Sequence, residues 1–173
     1  MGKEFELIDS ILLDSMSTTS SNMDGTSTPT HTVMSETLTD YTESVPYPGA
    51  HFIIRQRDTG KVITLVAGDL QLADGLNPKG GYHWECIEKN RWLGFRNCVS
   101  GTIIGHNNNK KFVARAEKHQ SYEYITLRPN PQGGYELMTK HNHDELWSMN
   151  VADDGQQLVE TKGQGALWDF LKV

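Results

Sequence analysis

Apolar and polar positions divide this chain at about Pro46–Pro48. Beyond that point, short apolar runs follow one another at close intervals. They are HFIIRQR (51–57), KVITLV (61–66), GDLQLAD (68–74), HWECIEK (83–89), WLGFRNC (92–98) and GTIIG (101–105), then KFVARA (111–116), YEYITLR (122–128), GYELMTK (134–140), ELWSMN (145–150), QQLVET (156–161) and ALWDFLKV (166–173). Few reach helical length, and turn residues separate most of them. The pattern predicts twelve strands, almost no helix, and an all-β domain over residues 49–173. Pro78, Pro129 and Pro131 fall between the runs, where a strand ladder does not need their missing N–H.

Residues 1–48 have a different character. From Ser10 to Ser44 serine and threonine dominate, and such a segment cannot bury enough apolar surface to offset its chain entropy. It reads as a disordered acidic tail. Near its start Phe5, Ile8 and Leu12 have helical spacing, which predicts a short amphipathic helix there.

The strand pattern repeats. Phe52, Phe95 and Leu137 open three similar segments, 43 and 42 residues apart. Val62, Ile103 and Leu146 follow at similar offsets. Each segment closes on an aromatic, an acid, any residue and an aliphatic: Trp84-Glu85-Cys86-Ile87, Tyr122-Glu123-Tyr124-Ile125 and Trp168-Asp169-Phe170-Leu171. Three copies of about four strands predict a β-trefoil. Six strands close into a barrel and six cap it as hairpins, so no long edge stays open. On this alignment Trp84, Tyr122 and Trp168 are equivalent, buried packing residues. Two turns of the form Asn-Pro-x-Gly-Gly-Tyr, at 77–82 and 130–135, fall out of the repeat register and read as independent turns.

The stretches Gly60-Lys61-Val62-Ile63-Thr64, Gly68-Asp69-Leu70-Gln71-Leu72-Ala73, Gly101-Thr102-Ile103-Ile104 and Phe112-Val113-Ala114 resemble the core of fascin-type β-trefoil repeats. The resemblance covers about residues 50–173. It implies a non-enzymatic module that binds a protein partner, cytoskeletal in the fascins themselves. Ricin-B-type lectins share the fold and carry Gln-x-Trp near the end of each repeat. Here those positions read Tyr82-His83-Trp84, Gln120-Ser121-Tyr122 and Ala166-Leu167-Trp168. A carbohydrate-binding lectin with divergent sites is therefore an alternative. A third is a trefoil protease inhibitor acting through the loop at 74–83 or 105–111.

Charge changes the picture at one place. The net charge of −6 belongs to residues 1–48, which hold eight acids and one base, Lys3. The remainder is nearly balanced, which argues against nucleic acid as partner. Within it, Arg91, Arg96, Lys110, Lys111, Arg115 and Lys118 form a basic cluster in the second repeat, with Lys89 before it and Glu117 the lone acid. His106 and His119 belong to the same repeat. The cluster is the candidate ligand-binding patch, for an acidic partner or for the chain's own tail.

No catalytic signature, phosphate loop or dinucleotide fingerprint is present. The sequence predicts neither an enzyme nor a cofactor. His141, His143 and Asp144 could share a metal, but no fourth ligand is implied and no metal site is predicted. No apolar run is long enough to span a membrane, and the acidic N-terminus does not resemble a secretory signal. These features predict a cytoplasmic protein whose Cys86 and Cys98 are free thiols in apolar strand contexts.

Overall fold

The computed structural model describes residues 37–173. The predicted helix at Phe5–Leu12 and most of the acidic tail lie outside the described residues. Thirteen strands follow a 3-10 turn at Leu38–Asp40: β1 (Thr42–Glu43), β2 (His51–Gln56), β3 (Val62–Val66), β4 (Asp69–Ala73), β5 (Trp84–Lys89), β6 (Trp92–Asn97), β7 (Ile103–His106), β8 (Phe112–Ala116), β9 (Ile125–Pro129), β10 (Tyr135–His141), β11 (Glu145–Val151), β12 (Leu158–Thr161) and β13 (Leu167–Lys172).

Strands β2–β13 fall into three sets of four. The first and fourth strands of each set pair with each other and with the next set, giving the order β2, β5, β6, β9, β10, β13. The ring closes where β13 pairs with β2, from Trp168↔Gln56 to Lys172↔Phe52. The remaining six strands form the hairpins β3–β4, β7–β8 and β11–β12. A closed six-stranded barrel capped by three hairpins is the β-trefoil, as the repeat predicts.

The register defines which residues are equivalent. Ile54, Phe95 and Leu137 occupy one inward position, and Ile63, Ile104 and Met149 another. All six are fully buried. The sequence alignment was two residues off in places. Ile54, not Phe52, matches Phe95, and Ser148, not Leu146, matches Val62 and Ile103. The β10–β11 hairpin reaches further than its counterparts, so Leu146 stands out on it and is exposed.

Tyr122 is the main correction. Trp84, Ile125 and Trp168 are equivalent, facing Asn97, Thr139 and Gln56 across the ring, and all three are fully buried. Before β9 the chain makes a 3-10 turn at Ser121–Glu123, with the Gln120 N–H donating to Glu123 Oε2 at 3.0 Å. That turn shifts the aromatic out of the core, and Tyr122 is 48% exposed.

Residues 37–48, assigned to the tail by composition, include part of the fold. β1 pairs with β13, and Leu38 and Tyr41 pack on Ile53, Val62 and Leu171. Glu43 meets Arg55 at 2.9 Å, and Arg55 also holds the buried Asp169 at 2.9 Å.

The two cysteines differ. Cys86 is buried in β5, and burial, reinforced by Glu88 and Glu85, pushes its thiol up to about 12. Cys98 is exposed in the turn after β6, not held in a strand as predicted, because β6 ends at Asn97. Burial also pushes the Cys98 thiol up, but its exposure decides access, so maleimide should label Cys98 well before Cys86 in the native protein, and Cys86 only after unfolding. Equal native labelling of both thiols, read by mass spectrometry, contradicts this packing.

The equivalent tryptophans also differ. Trp84 Nε1 donates to the Ile63 carbonyl at 3.0 Å, whereas the buried Trp168 Nε1 meets no acceptor among the described residues. Trp84→Phe strands a buried carbonyl; Trp168→Phe removes an unmatched donor. Urea unfolding should show Trp84→Phe to be the more destabilising by about 1 kcal/mol. Equal losses would mean the two rings sit in alike surroundings.

Candidate functional site

The polar run Asn107-Asn108-Asn109-Lys110 turns the chain from β7 to β8. Asn107 Oδ1 accepts from the N–H groups of Asn109 at 2.9 Å and Lys111 at 3.1 Å, and Lys110 takes the left-handed conformation at φ 59°. The β10–β11 turn uses Asn142 at φ 56°, a residue type that tolerates this region. With the 3-10 turn that carries Tyr122, these two hairpin turns enclose a cleft of about 520 Å³ between the second and third repeats. That is within the usual size range of small-ligand sites.

The cleft exists where the threefold pattern breaks. Ile63 pairs with Leu72 and Ile104 with Ala114, but Met149 pairs with Glu160. A carboxylate thus takes a core position that is apolar in the other repeats. One strand over, His106 stands at the level of Leu65 and Val151, opposite Phe112. The Glu160 side chain is fully buried. Burying a carboxylate costs several kcal/mol unless its oxygens are hydrogen-bonded, on the order of the desolvation penalty per ion. Here the Thr139 hydroxyl donates to Oε1 at 2.7 Å, and Nδ1 of both His106 and His141 lies 3.3 Å from Oε2. His106 Nε2 lies 3.2 Å from the Lys140 carbonyl, which can only accept. Both nitrogens of this ring therefore face oxygen.

Above this buried cluster the walls are aromatic and basic. His141 stacks on Trp147 with centroids 3.8 Å apart, and Lys110 Nζ lies 4.7 Å over the Trp147 ring. The Tyr122 ring meets His106 edge-on at 4.9 Å, and its hydroxyl donates to Asn108 Oδ1 at 3.2 Å. Lys140 and His143 complete the charged lining, and no carboxylate is among the lining residues.

The basic cluster read from the sequence is distributed over several surfaces. Of its six residues, Lys110 lines this cleft. Lys111 and Arg115 line a neighbouring groove with Asp69 and Asp154, and Arg115 lies 3.7 Å from Asp69. Arg96 pairs with Glu85 at 3.3 Å. Lys118 flanks a shallow depression beyond β8, and Arg91 occupies the β5–β6 turn at φ 68°. His143 and Asp144 are exposed on the β10–β11 turn, while His141 is committed to Glu160. Glu160 and Thr139 were not anticipated as site residues, whereas Tyr122 stood at the Gln-x-Trp position of the lectin alternative. The signal for Glu160 lay in aligning Leu70-Gln71-Leu72, Phe112-Val113-Ala114 and Leu158-Val159-Glu160, where an acid replaces an apolar residue.

No protein-family model matches the chain. No curated protein sequence matches it. Solved structures do. One is the GlcNAcα1-4Gal-releasing endo-β-galactosidase from Clostridium perfringens, with TM-score 0.61 and 15% identity over 72% of this chain and 32% of that one. Another is SeviL bound to asialo-GM1 saccharide, at 0.56 and 16%, covering 72% of this chain and 96% of that one. A third is the Macrolepiota procera ricin B-like lectin in complex with lactose, at 0.55 and 14%, covering 73% and 98%. At these identities the likeness establishes the trefoil fold. The fascin resemblance read from core motifs holds at this level of the fold. The expectation that the chain is not an enzyme is corrected. The same fold recurs inside an endo-β-galactosidase, of which this chain spans about a third, so core and turn motifs do not set it apart from enzymes.

If Glu160 organises the cleft, an apolar residue cannot replace it. Glu160→Leu should cost about 1–3 kcal/mol in urea unfolding, although Leu72 fills the same place in the first repeat, because two imidazoles lose their acceptor. Glu160→Gln, which keeps an acceptor, should cost less. A Glu160→Leu protein as stable as the parent would show that the histidines do not depend on it.

Proposed function

We propose that the protein binds carbohydrate in the cleft between its second and third repeats. The observation that carries this reading is the half-exposed Tyr122 ring standing at the rim of a polar, amide-rich cleft. Saccharides present hydroxyl edges and apolar ring faces. The side-chain amide groups of Asn107 and Asn108 offer N–H donors and Asn142 both a donor and an acceptor for the edges, and the Tyr122 ring offers a flat apolar surface for a face. The fold supports the reading: two trefoils of similar architecture are described as bound to a saccharide or to lactose. The protein-binding role implied by the fascin resemblance has no comparable site behind it.

Tyr122 lies outside the core, so its substitution should leave the fold intact. On the glycan that an array selects, Tyr122→Ser should weaken binding at least about tenfold, or about 1.4 kcal/mol. Trp92, which stacks on Tyr124 at 5.7 Å elsewhere on the surface, supplies the control, and Trp92→Ser should bind normally. The reverse pattern would move the site to Trp92. An array with no bound glycan would remove the carbohydrate reading.

A further inference from the structure

We infer that this cleft selects saccharides bearing a carboxylate or sulfate over their neutral counterparts. The inference rests on the carbohydrate reading above and adds the charge of the ligand. Three observations carry it.

The first is the sign of the lining. Lys110 on one wall and Lys140 on the other face the same space, with His141 and His143 beside them, and no acid lines the cleft. This is not a property of the surface at large. The whole chain carries −6, and the neighbouring groove offsets Lys111 and Arg115 with Asp69 and Asp154. Lining charge of one sign, in a concave site, attracts an anion more strongly than the same charge on an open face.

The second is the placement of Glu160. It is the nearest carboxylate to both histidines, and it lies beneath the cleft with no exposed side-chain surface. Its charge is met by Thr139, His106 and His141, all from within the fold. It holds the rings in place without presenting an acid to the ligand. With Nδ1 of His141 committed to Glu160, Nε2 on the far side of the ring is the nitrogen available to a ligand oxygen.

The third is preorganisation. Long lysines lose much rotamer freedom on binding, which weakens most surface lysine contacts. Lys110 has part of that loss met in advance, because its ammonium rests 4.7 Å over Trp147 and its backbone is fixed in the Asx turn. Trp147 in turn is held by its Nε1 donating to Glu145 at 3.0 Å and by the stacked His141.

The test is isothermal titration calorimetry of the full chain with three probes: lactose, sialyllactose and sulfated lactose. Sialyllactose, sulfated lactose or both should bind at least about tenfold tighter than lactose, and the arm that wins separates carboxylate from sulfate. The preference should shrink as salt rises from about 50 to about 500 mM, which screens partly exposed charges. In Lys110→Asn with Lys140→Gln the preference should disappear, the anionic probes binding no tighter than lactose. Asn suits the left-handed turn at position 110, and the Lys140 carbonyl that His106 uses is retained. Lys79→Gln, on a distant loop, should retain the preference. Equal affinity for all three probes would overturn charge selection and leave carbohydrate binding standing. Heat with none of the three would overturn both, and the salt series on the unmodified protein decides the matter even if the double variant misfolds.

Discussion

The pairing of β13 with β2 is the constraint on which the rest of this molecule depends. It joins the last barrel strand to the first, from Trp168↔Gln56 to Lys172↔Phe52, and turns six strands into a ring without an edge. Once the ring closes, each repeat must present its apolar residues to one shared centre. Phe170 on β13 is stacked on Phe95 at 5.2 Å and meets Phe52 and Tyr135 edge-on, so aromatics from all three repeats converge there. The hairpins are then obliged to sit over the barrel, and their turns meet at the seams between repeats. The candidate cleft is one of those seams.

What distinguishes that seam is a departure from symmetry with a physical consequence. An acid at the level of Leu72 and Ala114 cannot be tolerated alone, and the structure surrounds Glu160 with a hydroxyl and two imidazoles. Those partners come from β10, β7 and the end of β10, so one buried carboxylate fixes the relation between the second and third repeats. The turns above it carry the asparagines, lysines and Tyr122 that make the surface chemically distinct. The core packing and the cleft above it are therefore coupled at Glu160, and the two other seams, built on Leu72 and Ala114, lack that coupling.

The fold was legible in the sequence because barrel strands and hairpins are short, bounded by turn residues and repeated three times. The twelve strands β2–β13 and the threefold layout follow from that pattern, whereas β1 lies in a stretch whose composition reads as tail. Register was harder. The close match of Tyr122-Glu123-Tyr124-Ile125 to its counterparts hid the fact that Ile125, not Tyr122, fills the core, because a 3-10 turn interrupts the strand. Leu146 was misplaced because the β10–β11 hairpin is longer than the other two. Charge counting grouped Arg91, Arg96, Lys110, Lys111, Arg115 and Lys118, yet linear proximity on a β-hairpin alternates faces, and two of these bases, Arg96 and Arg115, meet acids from another repeat. Lys140, His141 and Asn142 join the site from a distant part of the chain, through a seam that only the closed ring creates.

A saccharide bound over the Glu160 cluster, between the second and third repeats, would shift the backbone amides around it, so mapping of amide chemical shifts on addition of sialyllactose locates it directly. The largest shifts should fall at His106–Lys110, Ser121–Tyr122 and Lys140–Trp147, with the resonances around Trp92 and Tyr124 unmoved. Shifts centred on Trp92 and Tyr124, or spread evenly over the three repeats, would contradict that placement.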